Sequence, residues 1–157
     1  MLKVEKHEGG ALVVLSGNID ESDSLADKIG VPSAGSLRVS CKGVYRINSI
    51  GVKRWIEFFS LLHQQGVAVR FEEISTALVE QFNCISNFSC GAQVVSVMVP
   101  FLCSSCACSL VAPMVVSNLK QIDFKLPAVP CPKCGATAEF DDIAEEYFMF
   151  VERTASP

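Results

Sequence analysis

Charge is scarce in this chain. Only 19% of its 157 residues are Asp, Glu, Lys or Arg, while 50% are hydrophobic. A chain so poor in charge and so rich in apolar side chains buries a core instead of remaining disordered. Basic residues are not in excess. Thirteen of them against 17 acidic residues leave a net charge of −4, which gives no electrostatic footprint for nucleic acid or an anionic membrane. Histidine is nearly missing. His7 and His63 have no obvious acidic or thiol companion in sequence. With no Ser-His-Asp set, no glycine-rich phosphate loop and no open metal site, no catalytic residue is assigned, and the chain is not expected to be an enzyme.

Long hydrophobic runs are missing too. The longest, Val94–Cys103, is interrupted by Ser96 and Pro100 and falls far short of the roughly 20 residues of a membrane span. Acids and glycines break up the first twenty residues, unlike a signal peptide. The expectation is a cytoplasmic protein with no membrane insertion. Thiols stay reduced there, which argues against disulfides as the use of eight cysteines.

What is present is an alternation of elements. Residues 11–19 read as a strand, and 19–30 as a short helix capped by Asp20 or Ser22 and stopped by Gly30. Leu37, Val39 and Cys41 alternate with polar residues, a strand of period two. A helix follows from near Asn48 to Gly66, with the stripe Val52, Ile56, Phe59, Leu62. Residues 67–74 predict a strand, 75–85 a helix with Leu78, Val79 and Phe82 on one face, and 92–101 one more strand. This order implies an α/β layer with helices against a sheet. From 103 to 135 cysteine and proline replace the alternation. A last helix is expected over 140–151, capped by Asp141 or Asp142, with Ile143, Tyr147, Phe150 and Val151 inward, before a short polar tail.

The cysteines are paired. Cys103-Ser-Ser-Cys106 is answered, beyond residues 107–130, by Cys131-Pro-Lys-Cys134. Each pair suits a knuckle, a tight turn that aims two thiolates at one ion, and two knuckles make a closed tetrahedral site. Gly135 permits the positive φ that such a turn often needs. The reading is one structural Zn²⁺ per chain on Cys103, Cys106, Cys131 and Cys134. "CPKCG" also resembles the second knuckle of rubredoxin, so a rubredoxin-like or redox- and metal-sensing four-cysteine protein is the alternative. Cys108 is too close to Cys106 for a normal knuckle and reads as packed or spare. Cys41, Cys84 and Cys90 read as core or near-core residues. Lys120, Lys125 and Lys133 are the only basic residues between 101 and 140, too few for a nucleic-acid-binding ribbon.

Two motifs in the first hundred residues resemble the STAS domain, the fold of anti-sigma-factor antagonists and of the C-terminal regions of sulfate transporters. Leu15, Gly17, Ile19 and Asp20 match its second-strand pattern. Ile47, Asn48, Ser49, Ile50, Gly51 and Val52 match its central helix start. The resemblance implies a mixed sheet with helices packed on it over 1–101. The ribbon is then an insertion at 102–136, and the last segment, 137–157, is expected to pack on the STAS-like core.

It also implies a non-enzymatic, bacterial interaction or regulatory module. In the antagonist branch a kinase phosphorylates the hydroxyl just before the glycine, and the added charge releases the partner. That position here is Ile50, which has no hydroxyl, and the preceding aspartate is Asn48. The expected partner surface is Asn48, Ser49, Ile50, Gly51 and Val52, extended by Trp55 and Phe58. Its partner would be an anti-sigma factor, a kinase-like ATPase or a transport complex, with a homodimer as a further option.

Overall fold

The computed structural model describes residues 1–32 and 35–154. Two sheets share one chain, and the protein is mixed α/β. The first sheet has the order β1 (Leu2–His7), β2 (Leu12–Ile19), β3 (Ser36–Ile47), β4 (Ala68–Glu72), β5 (Gln93–Val94). β1 pairs antiparallel with β2, and β2 to β5 run parallel. Parallel neighbours need crossovers, which α1 (Leu25–Ile29), α2 (Ser49–Gln64) and α3 (Thr76–Cys84) supply. Alternation aligns one apolar row across four strands: Val13 opposite Val39, Val39 opposite Phe71, Phe71 opposite Val94. All four are buried.

α2 lays aromatic rings on this row. Trp55 stacks on Phe71 and on Phe88, each with ring centroids 5.1 Å apart. Its indole N–H donates to the Phe88 carbonyl at 3.0 Å. Gly51, Trp55, Phe58, Phe59 and Leu62 are the buried residues of the helix. The core-facing stripe is therefore turned from the expected one, with Val52 and Ile56 only partly buried. Trp55 and Phe58 are expected on the partner surface. At 0% and 5% exposed, they are core instead, because Trp55 finds Phe71 of β4 and Phe88 to stack on and the Phe58 ring packs against Phe59.

The motif glycines have a steric reason. A Cβ on Gly51 would lie 2.1 Å from the Ile19 carbonyl oxygen, because α2 starts directly against the end of β2. The Asn48 N–H donates to that same carbonyl at 3.2 Å. Gly17 has φ +98°, and a Cβ there would meet the Met1 carbonyl oxygen at 2.4 Å.

The second sheet, of order β7-β6-β9-β8, is antiparallel throughout. It comprises β6 (Ser96–Cys103), β7 (Ser109–Val115), β8 (Val129–Pro130) and β9 (Thr137–Phe140), with α4 (Val116–Gln121) between β7 and β8. The strand expected over 92–101 is thus two strands broken at Val95. The Val95 N–H donates to Phe71 in the first sheet, and its carbonyl accepts from Val116 beyond β7. The sheet that carries the four cysteines accordingly begins at Ser96 and ends with β9.

Two helix expectations also change. Asp20 and Ser22 do not cap a helix, because the Ser22 N–H and hydroxyl both donate to the Asp20 carboxylate. Ser24 caps the short α1 instead. The C-terminal helix is only α5 (Ala144–Tyr147) followed by a 3₁₀ turn (Met149–Arg153). Phe140 belongs to β9, and Ile143 is exposed, because the β6–β9 ladder takes the residues that would have begun the helix. The last three residues of the expected polar tail lie outside the described residues.

This end of the chain lies against α3. Asn83 of α3 donates to the Tyr147 carbonyl at 3.0 Å and accepts from the Phe150 N–H at 2.8 Å. The Tyr147 hydroxyl donates to the Met98 carbonyl of β6 at 2.5 Å. Phe150 is fully buried and meets Phe82 at 5.6 Å between ring centroids. One contiguous buried cluster therefore spans both sheets.

The G51A variant should lose stability through the backbone clash with Ile19, at the scale of overpacking, about 1–3 kcal/mol or more. Thermal unfolding of G51A beside the surface control S49A measures this. An unchanged midpoint would mean that the helix start does not press on β2.

Candidate metal centre

The two knuckles are the turns of two hairpins. β6 ends at Cys103, its turn carries Cys106, and β7 begins at Ser109; β8 ends at Pro130, its turn carries Cys131 and Cys134, and β9 begins at Thr137. The central strands pair antiparallel, with Cys103 opposite Ala138, which brings the two turns side by side.

Their backbones repeat each other. The Ala107 N–H donates to the Cys103 carbonyl, and the Gly135 N–H donates to the Cys131 carbonyl, both at 2.9 Å. The Cys103 N–H donates to Cys108 at 3.0 Å, and the Cys131 N–H to Ala136 at 2.7 Å. Gly135 has φ 76° and its counterpart Ala107 has φ 58°. The missing glycine of the first pair is therefore replaced by an alanine held left-handed. Cys108 takes the place that Ala136 takes in the other knuckle, a backbone acceptor and not a ligand.

All four thiol sulfurs lie within 4.8 Å of one another. Cys103 Sγ is 3.5 Å from Cys134 Sγ, and Cys106 Sγ is 3.7 Å from Cys131 Sγ. A tetrahedral ion with metal–sulfur bonds of about 2.3 Å sets sulfurs about 3.8 Å apart, so the donor set and its size fit a metal ion. The thiols are free of disulfides. Among the described residues no other group of metal-ligating side chains comes together, and neither His7 nor His63 joins this one.

The first cysteine of each knuckle is buried, Cys106 is half-buried and Cys134 is exposed. The inner pair is anchored in the core, while the outer pair meets solvent and gives an ion its entry. The Cys106 backbone N–H draws the Cys103 thiol below its usual range. In the second knuckle the Cys134 N–H, with that of Lys133, draws Cys131 down to about 6. Backbone donors aimed at these two sulfurs favour the thiolate, the form that binds metal, while Cys106 is pushed up to about 12 and Cys134 also upward, against their own backbone donors, by burial and the neighbouring thiols. An ion held by all four thiolates would be closed in its coordination and would activate no water.

The other candidate residues stand elsewhere. Asn48 caps α2, accepting from the Gly51 N–H at 2.8 Å, and its amide donates to Glu21 at 2.7 Å. Ser49 is exposed, Ile50 is 47% exposed, Gly51 is buried and Val52 half-buried. Arg54 completes this corner by donating to the carbonyls of Glu21 and Asp23, each at 2.8 Å. Sequence reading missed Arg54 and Asn83. A polar residue inside an apolar helix was the available signal for Asn83. Of the scattered cysteines, Cys41 is buried and Cys90 half-buried, whereas Cys84 is exposed, contrary to the core reading, because its place at the end of α3 lies beyond the packed face.

A107G should relieve the left-handed alanine, which costs about 1–2 kcal/mol, partly offset by the greater chain freedom of glycine. Extraction of bound metal by a chromogenic chelator should slow a few-fold relative to the native chain, and C108S should extract like the native chain. Faster extraction from A107G would contradict the geometry of the first knuckle.

Neither a family model nor a curated protein matches this sequence. The chemistry of the four thiols and the surfaces around them carry the functional reading.

Proposed function

We propose that this chain is a non-enzymatic protein-interaction module, STAS-like in its first layer and held together at its second sheet by one structural Zn²⁺. The observation that carries the reading is the closed four-thiol set on two matched knuckles. A cluster anchored by Cys103 and Cys131 in the shared core stabilises the hairpins and leaves no open coordination position for substrate. Zinc suits it better than a redox metal on one count. The exposed Cys134 gives solvent direct access to the centre, which a d¹⁰ ion with no redox chemistry tolerates.

The STAS-like part of the proposal draws on the sheet order, with one antiparallel strand beside four parallel ones, and on the glycine forced against Ile19 at the start of α2. In this reading the partner face is the corner formed by Asn48, Ser49, Ile50 and the 20–24 loop, without Trp55 and Phe58. Ile50 gives it an apolar contact in place of the family's hydroxyl, so binding is constitutive at that position. A reducing cytoplasm keeps the thiols available. Among the described residues no helix is long and apolar enough to cross a membrane.

Metal analysis of the purified protein should give one zinc per chain. C103S and C131S should lose it, and acidification should release it as the thiolates protonate. A red, iron-bearing protein from zinc-replete cells would favour the rubredoxin-like alternative. I50D and S49D should keep the native melting temperature and lose the protein captured by the native chain from extracts of the source cell. Capture undiminished in both folded variants would remove this corner as the partner face.

A further inference from the structure

A second surface lies where the two layers meet. α3, β6, β7 and the 141–149 segment line an open cleft of about 780 Å³, within the range of built ligand sites. Its walls carry Val79, Phe101 and Tyr147, with Val111 and Met149 exposed at 51% and 43%. Four carboxylates, Glu80, Asp141, Asp142 and Glu146, line the same cleft, and no Lys or Arg does. Among the described residues none of the four pairs with a basic side chain. The nearby Arg153 is turned to the Asn83 carbonyl at 2.9 Å. β7 is an edge strand, so one side of its backbone is open to an added segment.

We infer that this cleft docks a short basic peptide segment of a protein partner, with apolar side chains on the cleft walls and Lys or Arg against the carboxylates. The combination decides the occupant. Apolar walls alone would accept many partners, and acids alone would hold solvent. Apolar walls with four unpaired carboxylates select a cationic, apolar-anchored chain and repel an acidic one. The surface is distinct from the α2 corner, which the cleft does not include. The inference shares with the proposed function only that the chain binds proteins.

The test is selection of random dodecapeptides displayed on phage by the full-length, zinc-loaded chain, followed by fluorescence anisotropy with the selected peptides made synthetically. Selected sequences should combine Lys or Arg with Leu, Val or Phe. The double variant E80K/E146K should weaken them roughly tenfold or more, as like-charge contacts do, and added salt should weaken native binding. S49D should bind them as the native chain does, which separates a failure here from a failure of the α2 face. If the double variant unfolds, E80Q/E146Q replaces it, with a loss of at least threefold. A selection with no basic bias, or affinity unchanged by the variants, overturns the inference. So does self-association, seen by sedimentation and abolished by the same variants, since the occupant is then a second copy of the chain.

Discussion

Residues 93–103 belong to two sheets at once. β5 is a two-residue strand completing the first sheet, and β6 is an inner strand of the second. Val95 joins them, with its N–H bonded to Phe71 and its carbonyl to Val116. Ile74, just past β4, donates to the Ser96 carbonyl and accepts from the Met98 N–H. The backbone of this extended run is thus satisfied first by one layer and then by the other. An unpaired buried peptide group costs about 1–3 kcal/mol, so the handover fixes how the two sheets stand to each other.

The remaining architecture follows from that handover. Because β6 leaves the first sheet still buried, its inward residues Val97, Val99, Phe101 and Cys103 carry the core straight to the four-cysteine cluster. The knuckle at its end inherits a rigid base. The returning chain reaches α3 through Asn83 and Phe150, and the cleft is the space left between α3 and the outgoing strands. The four-thiol centre is therefore part of the core's perimeter and not a bead on a tether. What was expected as an insertion is, in packing terms, the second half of one core.

The two candidate surfaces differ in how they are built. The α2 corner is local. Gly51 against Ile19, the Asn48 cap and the Arg54 bonds all lie within the first layer, and its exposed residues are few. The cleft is composite, with walls from α3, β6, β7 and the C-terminal segment, and its charge is of one sign. A chain with a net charge of only −4 still concentrates four acids there, because folding brings Glu80 of α3 to Asp141, Asp142 and Glu146, which are already close in sequence.

Some of this was legible in the sequence alone, for physical reasons. The knuckles were, because coordination chemistry demands two thiols within one turn and the spacing records it directly. The strand–helix alternation was, because period-two and period-3.6 burial leave their pattern in the residues. The glycine at 51 was marked by its motif, though its cause, a carbonyl 2.1 Å from a Cβ, needed coordinates. Only tertiary structure decided that Trp55 faces inward, since a helix with apolar residues around much of its circumference does not say which arc is covered until Phe71 and Phe88 arrive. Only tertiary structure broke residues 92–101 at Val95, because an apolar run looks the same whether one sheet or two pair with it. And only tertiary structure made the cleft, whose walls are contributed by segments that share no local pattern.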